Sequence, residues 1–151
     1  MRRRALPGLA LACTLAATTA VAAEFRATSE VAVLYDAPSV KGKPLFVLGR
    51  DYPLEVIVTL ESWLKVRDAG GTVAWVERKA LADRRTLVVR TPVAEILANA
   101  DASAPLVFKA EQNVLLELVD QGQAVATPGW VKVRHRDGQT GFVRIGQVWG
   151  L

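Results

Sequence analysis

Apolar and polar residues alternate in short runs along most of the chain. Leu54, Val56, Val58 and Leu60 alternate with Glu55, Ile57 and Thr59. Leu64 and Val66 alternate with Trp63, Lys65 and Arg67. A period of two places each set on one face of a half-buried strand. Asp68-Ala-Gly-Gly71 and Arg136-Asp-Gly-Gln139 read as hairpin turns, Asp-Gly being a strong turn signal. Glu77 to Leu81 reads as one short helical turn ahead of a closing strand. Short strands at regular spacing predict an all-β chain of small barrels or sandwiches.

The pattern occurs twice. Trp63-Leu-Lys-Val-Arg-Asp-Ala-Gly-Gly-Thr-Val-Ala-Trp-Val76 aligns without gaps on Trp130-Val-Lys-Val-Arg-His-Arg-Asp-Gly-Gln-Thr-Gly-Phe-Val143, with six of 14 positions identical. Upstream the offset is 62: Val31-Ala32 matches Val93-Ala94, and Leu54 to Ile57 matches Leu116 to Val119. It then grows to 67, so the second copy carries five extra residues within Asp120 to Gly129, a polar, Gly/Pro-containing loop. Extended backward, the repeat pairs Phe25 with Leu87 and predicts units at 24–86 and 87–151. Only Asp83-Arg84-Arg85-Thr86 joins them. A unit of this size buries about 60% of its chain surface and is marginal alone, so the two are expected to share an interface.

The first 23 residues differ from the rest. Arg2-Arg3-Arg4, an Ala/Leu-rich apolar run and the small residues Ala20 to Ala23 match a secretory signal, cut before Ala23 or Glu24. Ala10-Leu11-Ala12 fits a lipobox poorly ahead of Cys13, and the run falls short of a solid apolar 20-mer. The reading is therefore a cleaved leader, a periplasmic or secreted product, and no integral membrane segment thereafter.

Charge and chemistry narrow the function. The chain has 19 Lys and Arg against 15 Asp and Glu. Setting aside the three leader arginines leaves 16 against 15, a net of +1. That gives no general support for nucleic-acid binding, which needs many phosphate-directed cations. The only Cys is Cys13 and the only His is His135, so no disulfide, zinc-thiolate site or histidine metal cluster is expected after the leader. No cofactor motif is present; Gly70-Gly71 lacks the flanks of a phosphate loop. A nucleophilic triad needs a His base, and His135 sits at a hairpin mouth between Arg134 and Arg136, where a solvated surface role is expected. Glu55 and Glu117 are repeat equivalents on strand faces, and no carboxylate pair is singled out. No catalytic residue is assigned. The run Lys132, Arg134, His135, Arg136 forms a basic stripe. It reads as a charged strand edge or as a contact for an anionic polymer.

The aromatics carry the most information. Trp63 and Trp130 share strand parity with Lys65, Arg67, Lys132 and Arg134, and Trp75 and Phe142 with Glu77 and Arg144. Alternation therefore places two large aromatics per unit on the charged face, away from the core. Two uses are open: closing the barrel or the contact between units, or contacting a ligand. Tyr35, in the first-loop region, joins Trp63, Trp75, Trp130 and Phe142 as a candidate ligand-binding residue. Trp149 reads as a terminal plug for the second unit.

Each unit resembles a bacterial SH3-like (SH3b) domain. The first copy carries the family's pattern as Asp36-Ala37-Pro38-Ser39, Trp63-Leu-Lys-Val66, Gly71 and Trp75-Val76. The second carries it as Ala98 to Ala102, Trp130-Val-Lys-Val133, Gly138-Gln-Thr-Gly141 and Phe142-Val143. The copies depart from it at Ala74, Phe142 and Ala100, and around Tyr35 and Leu97. The resemblance implies two tandem SH3-like small β-barrels of five to seven strands. It also implies a non-enzymatic binding role toward cell-wall peptidoglycan or an envelope protein.

Overall fold

The computed structural model describes residues 22–120 and 127–151. The leader up to Val21 and the centre of the long second-copy loop lie outside the described residues. The first unit consists of β1 (Glu24–Thr28), β2 (Ala32–Tyr35), β3 (Pro44–Leu48), β4 (Pro53–Thr59), β5 (Trp63–Arg67), β6 (Val73–Glu77) and β7 (Leu81–Ala82). The second consists of β8 (Thr86–Val89), β9 (Val93–Leu97), β10 (Leu106–Glu111), β11 (Leu115–Leu118), β12 (Trp130–Arg134), β13 (Thr140–Arg144) and β14 (Val148–Trp149). The expected helical turn is present in both, as 3₁₀ turns Arg78–Ala80 and Ile145–Gln147.

The two sheets have the same strand order, β3-β2-β6-β5-β4-β1-β7 and β10-β9-β13-β12-β11-β8-β14. The sequence repeat is thus a structural repeat. The alternation on β5 holds: Leu64 and Val66 are buried with Leu34, Leu54 and Val76 in the first core. Val133 and Val143 are buried with Leu87, Ile96 and Leu116 in the second. Each such side chain contributes about 1.5–3 kcal/mol on leaving water, and the two clusters make each sheet curl around its own core.

Two expectations change in detail. The alternation along β4 breaks after Val56, where the register shifts: Val56 faces Val66, but Val58 faces Lys65. The extra residue of a bulge turns the following side chains over, so Val58 and Leu60 are exposed rather than in the core. The pairing of Phe25 with Leu87 is one residue off. Leu54 lies opposite Arg26, and its equivalent Leu116 lies opposite Leu87. The counterpart of Phe25 is therefore Thr86, and the second copy carries one more residue in the turn after β8. Both Phe25 and Thr86 are buried.

They are buried because the units touch. Thr86 donates its hydroxyl to the Asp51 carbonyl at 2.7 Å, and Arg84 forms an ion pair with the Asp51 carboxylate. Arg85 donates to the Gly150 carbonyl at 2.9 Å and lies over the Phe25 ring. Trp149 is not simply a plug for its own unit. It pairs with Val88 but sets its ring edge-on against Phe25 of the other unit. Gly150, at φ +120°, runs so close that a Cβ would lie 2.7 Å from the Thr86 carbonyl. No helix among the described residues is long and apolar enough to cross a membrane.

Candidate functional site

Three of the five candidate residues come together on the outer face of the first sheet. Tyr35 of β2 lies opposite Trp75 of β6, which lies opposite Lys65 of β5. Trp63 closes the group from β5, its ring edge-to-face with Tyr35 at 5.6 Å and 83°. The Lys65 ammonium sits 5.8 Å from the centre of the Trp75 ring. All three aromatics are half-buried, so part of each ring faces solvent. Apolar side chains extend the surface. Val33 lies opposite Val47 on the edge strand β3, and Val47 is 59% exposed. Val58, turned outward by the bulge, is 40% exposed beside Lys65. Aromatic side chains supply wide, rigid contact area at low entropic cost, and apolar patches of this kind mark contact surfaces.

The same face of the second unit is closed at its tryptophan. Trp130 lies opposite Arg144, whose guanidinium stacks 4.6 Å from the ring centre, and Trp130 is only 8% exposed. Phe142 is half-buried between Leu97 and Lys132. The equivalents of Val33 and Val47 are Glu95 and Lys109, an ion pair at 3.7 Å. The residue opposite the repeated tryptophan decides the difference. A cation attracts the electron-rich ring face, so Arg144 covers Trp130. Glu77, opposite Trp63, has no such attraction and pairs with Lys79 instead at 3.2 Å. Parity therefore placed Trp130 on the correct face, but its exposure depends on the cross-strand partner.

A feature that spacing did not assemble lies between the units. A cleft of about 550 Å³ is lined by Arg50, Asp51 and Arg84 from one side and by Glu117, Arg134 and Arg136 from the other. The basic stripe was visible as a run, but Arg50 and Arg84 are distant in sequence and meet it only through the junction. His135, expected as a solvated residue, also lines this cleft. Its side chain is 25% exposed, its ring lies against Phe108, and Nδ1 is 3.0 Å from the Asp137 carboxylate. Asp137 accepts from the Gln139 backbone N–H and from the Gln139 side-chain amide, and these bonds, with His135 close by, lower its pKa to about 2. Among the described residues no group of three or more His, Cys, Asp or Glu converges to hold a metal ion.

The repeated geometry agrees with a family-wide comparison. The family model of the bacterial SH3 domain matches residues 28–83 and again 92–150. The chain belongs to the bacterial SH3 domain family. Its two SH3 domains, all-β and in tandem, follow the resemblance read from the Trp-x-x-Val and hairpin motifs. Among curated proteins none matches the chain. Similar solved structures include two at low identity. NlpC2 from Trichomonas vaginalis is 13% identical over 87% of this chain and 49% of its own, with a TM-score of 0.38. NlpC1 from the same organism is 15% identical over 92% and 50%, also with a TM-score of 0.38. The chain spans about half the length of each, and a likeness this low says nothing of what it does.

Proposed function

We propose that this is an exported, non-enzymatic binding protein of the cell envelope, periplasmic or secreted after loss of the leader. It holds peptidoglycan on the outer face of its first SH3 domain. The observation that carries this reading is the half-exposed Tyr35–Trp63–Trp75 group flanked by Val33, Val47 and Lys65. Rings of this kind stack on the apolar faces of sugars and on peptide side chains, and Lys65 answers a carboxylate nearby. The second domain, with Trp130 capped by Arg144, serves chiefly as a rigid platform.

Retention on purified sacculi tests it. Tyr35→Leu with Glu77→Arg gives the first domain the residues that the second carries at Leu97 and Arg144. The second domain folds with those residues, so the variant is expected to remain folded. The wild type is expected to co-sediment, and the variant to lose at least tenfold in affinity. Equal retention of both proteins would remove the aromatic face from the account.

A second reading rests on β3. It is the terminal strand of its sheet, and Leu45 and Val47 are exposed along it. An envelope protein adding a strand there would be held by main-chain hydrogen bonds. Co-purification of one defined protein, abolished by Val47→Pro, supports that reading.

A further inference from the structure

The cleft between the two domains has properties that the aromatic face does not. Four arginines line it, Arg50, Arg84, Arg134 and Arg136, against two carboxylates, Asp51 and Glu117. Four against two leaves a net of +2. The carboxylates do not consume the hydrogen-bonding capacity of the arginines. The Arg134–Glu117 contact is 3.6 Å, whereas the equivalent pair of the first domain, Arg67–Glu55, is a closed hydrogen bond of 3.0 Å. Arg50 stands 3.7 Å from Asp51. Arg136 has neither ion pair nor hydrogen bond among the described residues. Arg84 is held on one side by Asp51, and both its Nε and the Asp51 Oδ1 are buried without a hydrogen-bond partner. A buried donor without a partner is uncommon in folded proteins, and this one belongs to a residue of the cleft wall.

We propose that this cleft is an oxyanion-binding site, taking a ligand that bears a doubly charged phosphate or dicarboxylate group. The guanidinium fork matches the geometry of both groups and binds them through paired, charge-assisted hydrogen bonds. The apolar backing of Val114, Leu115 and Leu116 limits water on one side and strengthens the attraction. The volume, about 550 Å³, suits a small molecule or the terminal group of a polymer. Because both domains line the site, occupancy stiffens the junction. The site is independent of the peptidoglycan reading and stands or falls separately.

The test is calorimetric titration of the purified chain with inorganic phosphate and, separately, with succinate at low ionic strength. Saturable binding of at least one is expected, weakening as salt rises. Arg136→Gln and Arg50→Gln are each expected to weaken it about tenfold. Both side chains are exposed and make no hydrogen bond within the described residues, so unchanged melting temperatures are expected. Lys79→Gln, outside the cleft, and the Tyr35→Leu/Glu77→Arg variant should bind as the wild type does. Tighter phosphate binding identifies a phosphate ester as the natural group, and tighter succinate binding a dicarboxylate. Absence of saturable binding by both anions, or equal binding by the two arginine variants, overturns the proposal.

Discussion

Phe25 and Trp149 meet edge to face across the junction of the two domains, ring centroids 5.0 Å apart at 88°. One opens the first domain and the other closes the second. A pair of this geometry adds about 0.5–1.5 kcal/mol beyond the area it buries. Phe25→Ala and Trp149→Ala are each expected to destabilise the protein by about 3–4 kcal/mol, the lower part of the range for buried aromatics. The double variant should cost less than the sum of the singles, by about the pair energy. Denaturant unfolding of the four proteins measures the cycle. Strict additivity would mean that the rings act independently.

Asp51 is the polar counterpart of that contact. It adopts φ 69°, its carbonyl accepts from Thr86 and its carboxylate holds Arg84. Its equivalent Asn113 takes the same conformation, φ 70°, without the charge. Asp51→Asn should therefore keep the turn and lose only the partly exposed ion pairs with Arg84 and Arg50, about 0.5–1 kcal/mol in all. Asp51→Ala should lose a further ~1–2 kcal/mol, because alanine is strained in the left-handed region. Chemical denaturation of the two variants separates the terms; equal stabilities would contradict the division.

Much of this architecture can be read from the chain itself. Trp63 to Val76 against Trp130 to Val143 announces the repeat, and the alternation Leu64, Lys65, Val66 places the core correctly because a strand has only two faces. What alternation does not carry is local slippage. The bulge after Val56 and the extra residue after β8 each shift one register, so Val58 turns out to solvent and Phe25 aligns with Thr86. Exposure of the candidate aromatics was likewise beyond the pattern. Trp63 and Trp130 have the same parity and are both followed by x-Lys-Val-Arg, yet Glu77 and Arg144, on the next strand, leave one open and cover the other. The arginine cleft needed the junction itself, which brings Arg50 and Arg84 to the stripe at Arg134 and Arg136.

The departure from the family pattern at Ala74 has a packing counterpart. In the second domain the equivalent Gly141 has no room for a side chain. A Cβ there would lie 2.5 Å from the Ile96 side chain and 2.7 Å from the Leu97 carbonyl. The first domain holds Leu34 in place of Ile96 and accommodates Ala74. Gly141→Ala is expected to destabilise by about 1–3 kcal/mol. Replacing Ile96 by Leu should recover part of that loss, while the close backbone carbonyl limits the rescue. Thermal or denaturant unfolding of the single and double variants measures both.

The second hairpin gives an expected pH dependence. Hydrogen bonds from Gln139, with the His135 ring beside it, hold the Asp137 carboxyl down at about 2, below the usual range near 4. The charged form is favoured in the folded state. Its contribution is therefore present above the unfolded value and lost as pH falls from about 4 through about 2. A carboxyl-carbon titration should show Asp137 ionising near that lower value, and Gln139→Ala should move it upward. An unperturbed Asp137 in the wild type would contradict the hydrogen bonding described.

The central claim is that the open aromatic face of the first domain, and not the capped face of the second, holds the wall ligand. Its most direct test is a nitrogen–proton spectrum of the four tryptophan indoles during titration with soluble disaccharide-peptide fragments of peptidoglycan. Trp63 and Trp75 should shift together and saturably, while Trp130 under Arg144 and Trp149 against Phe25 stay in place. Shifts confined to Trp130 or Trp149, or four unmoved indoles at saturating fragment, would contradict it.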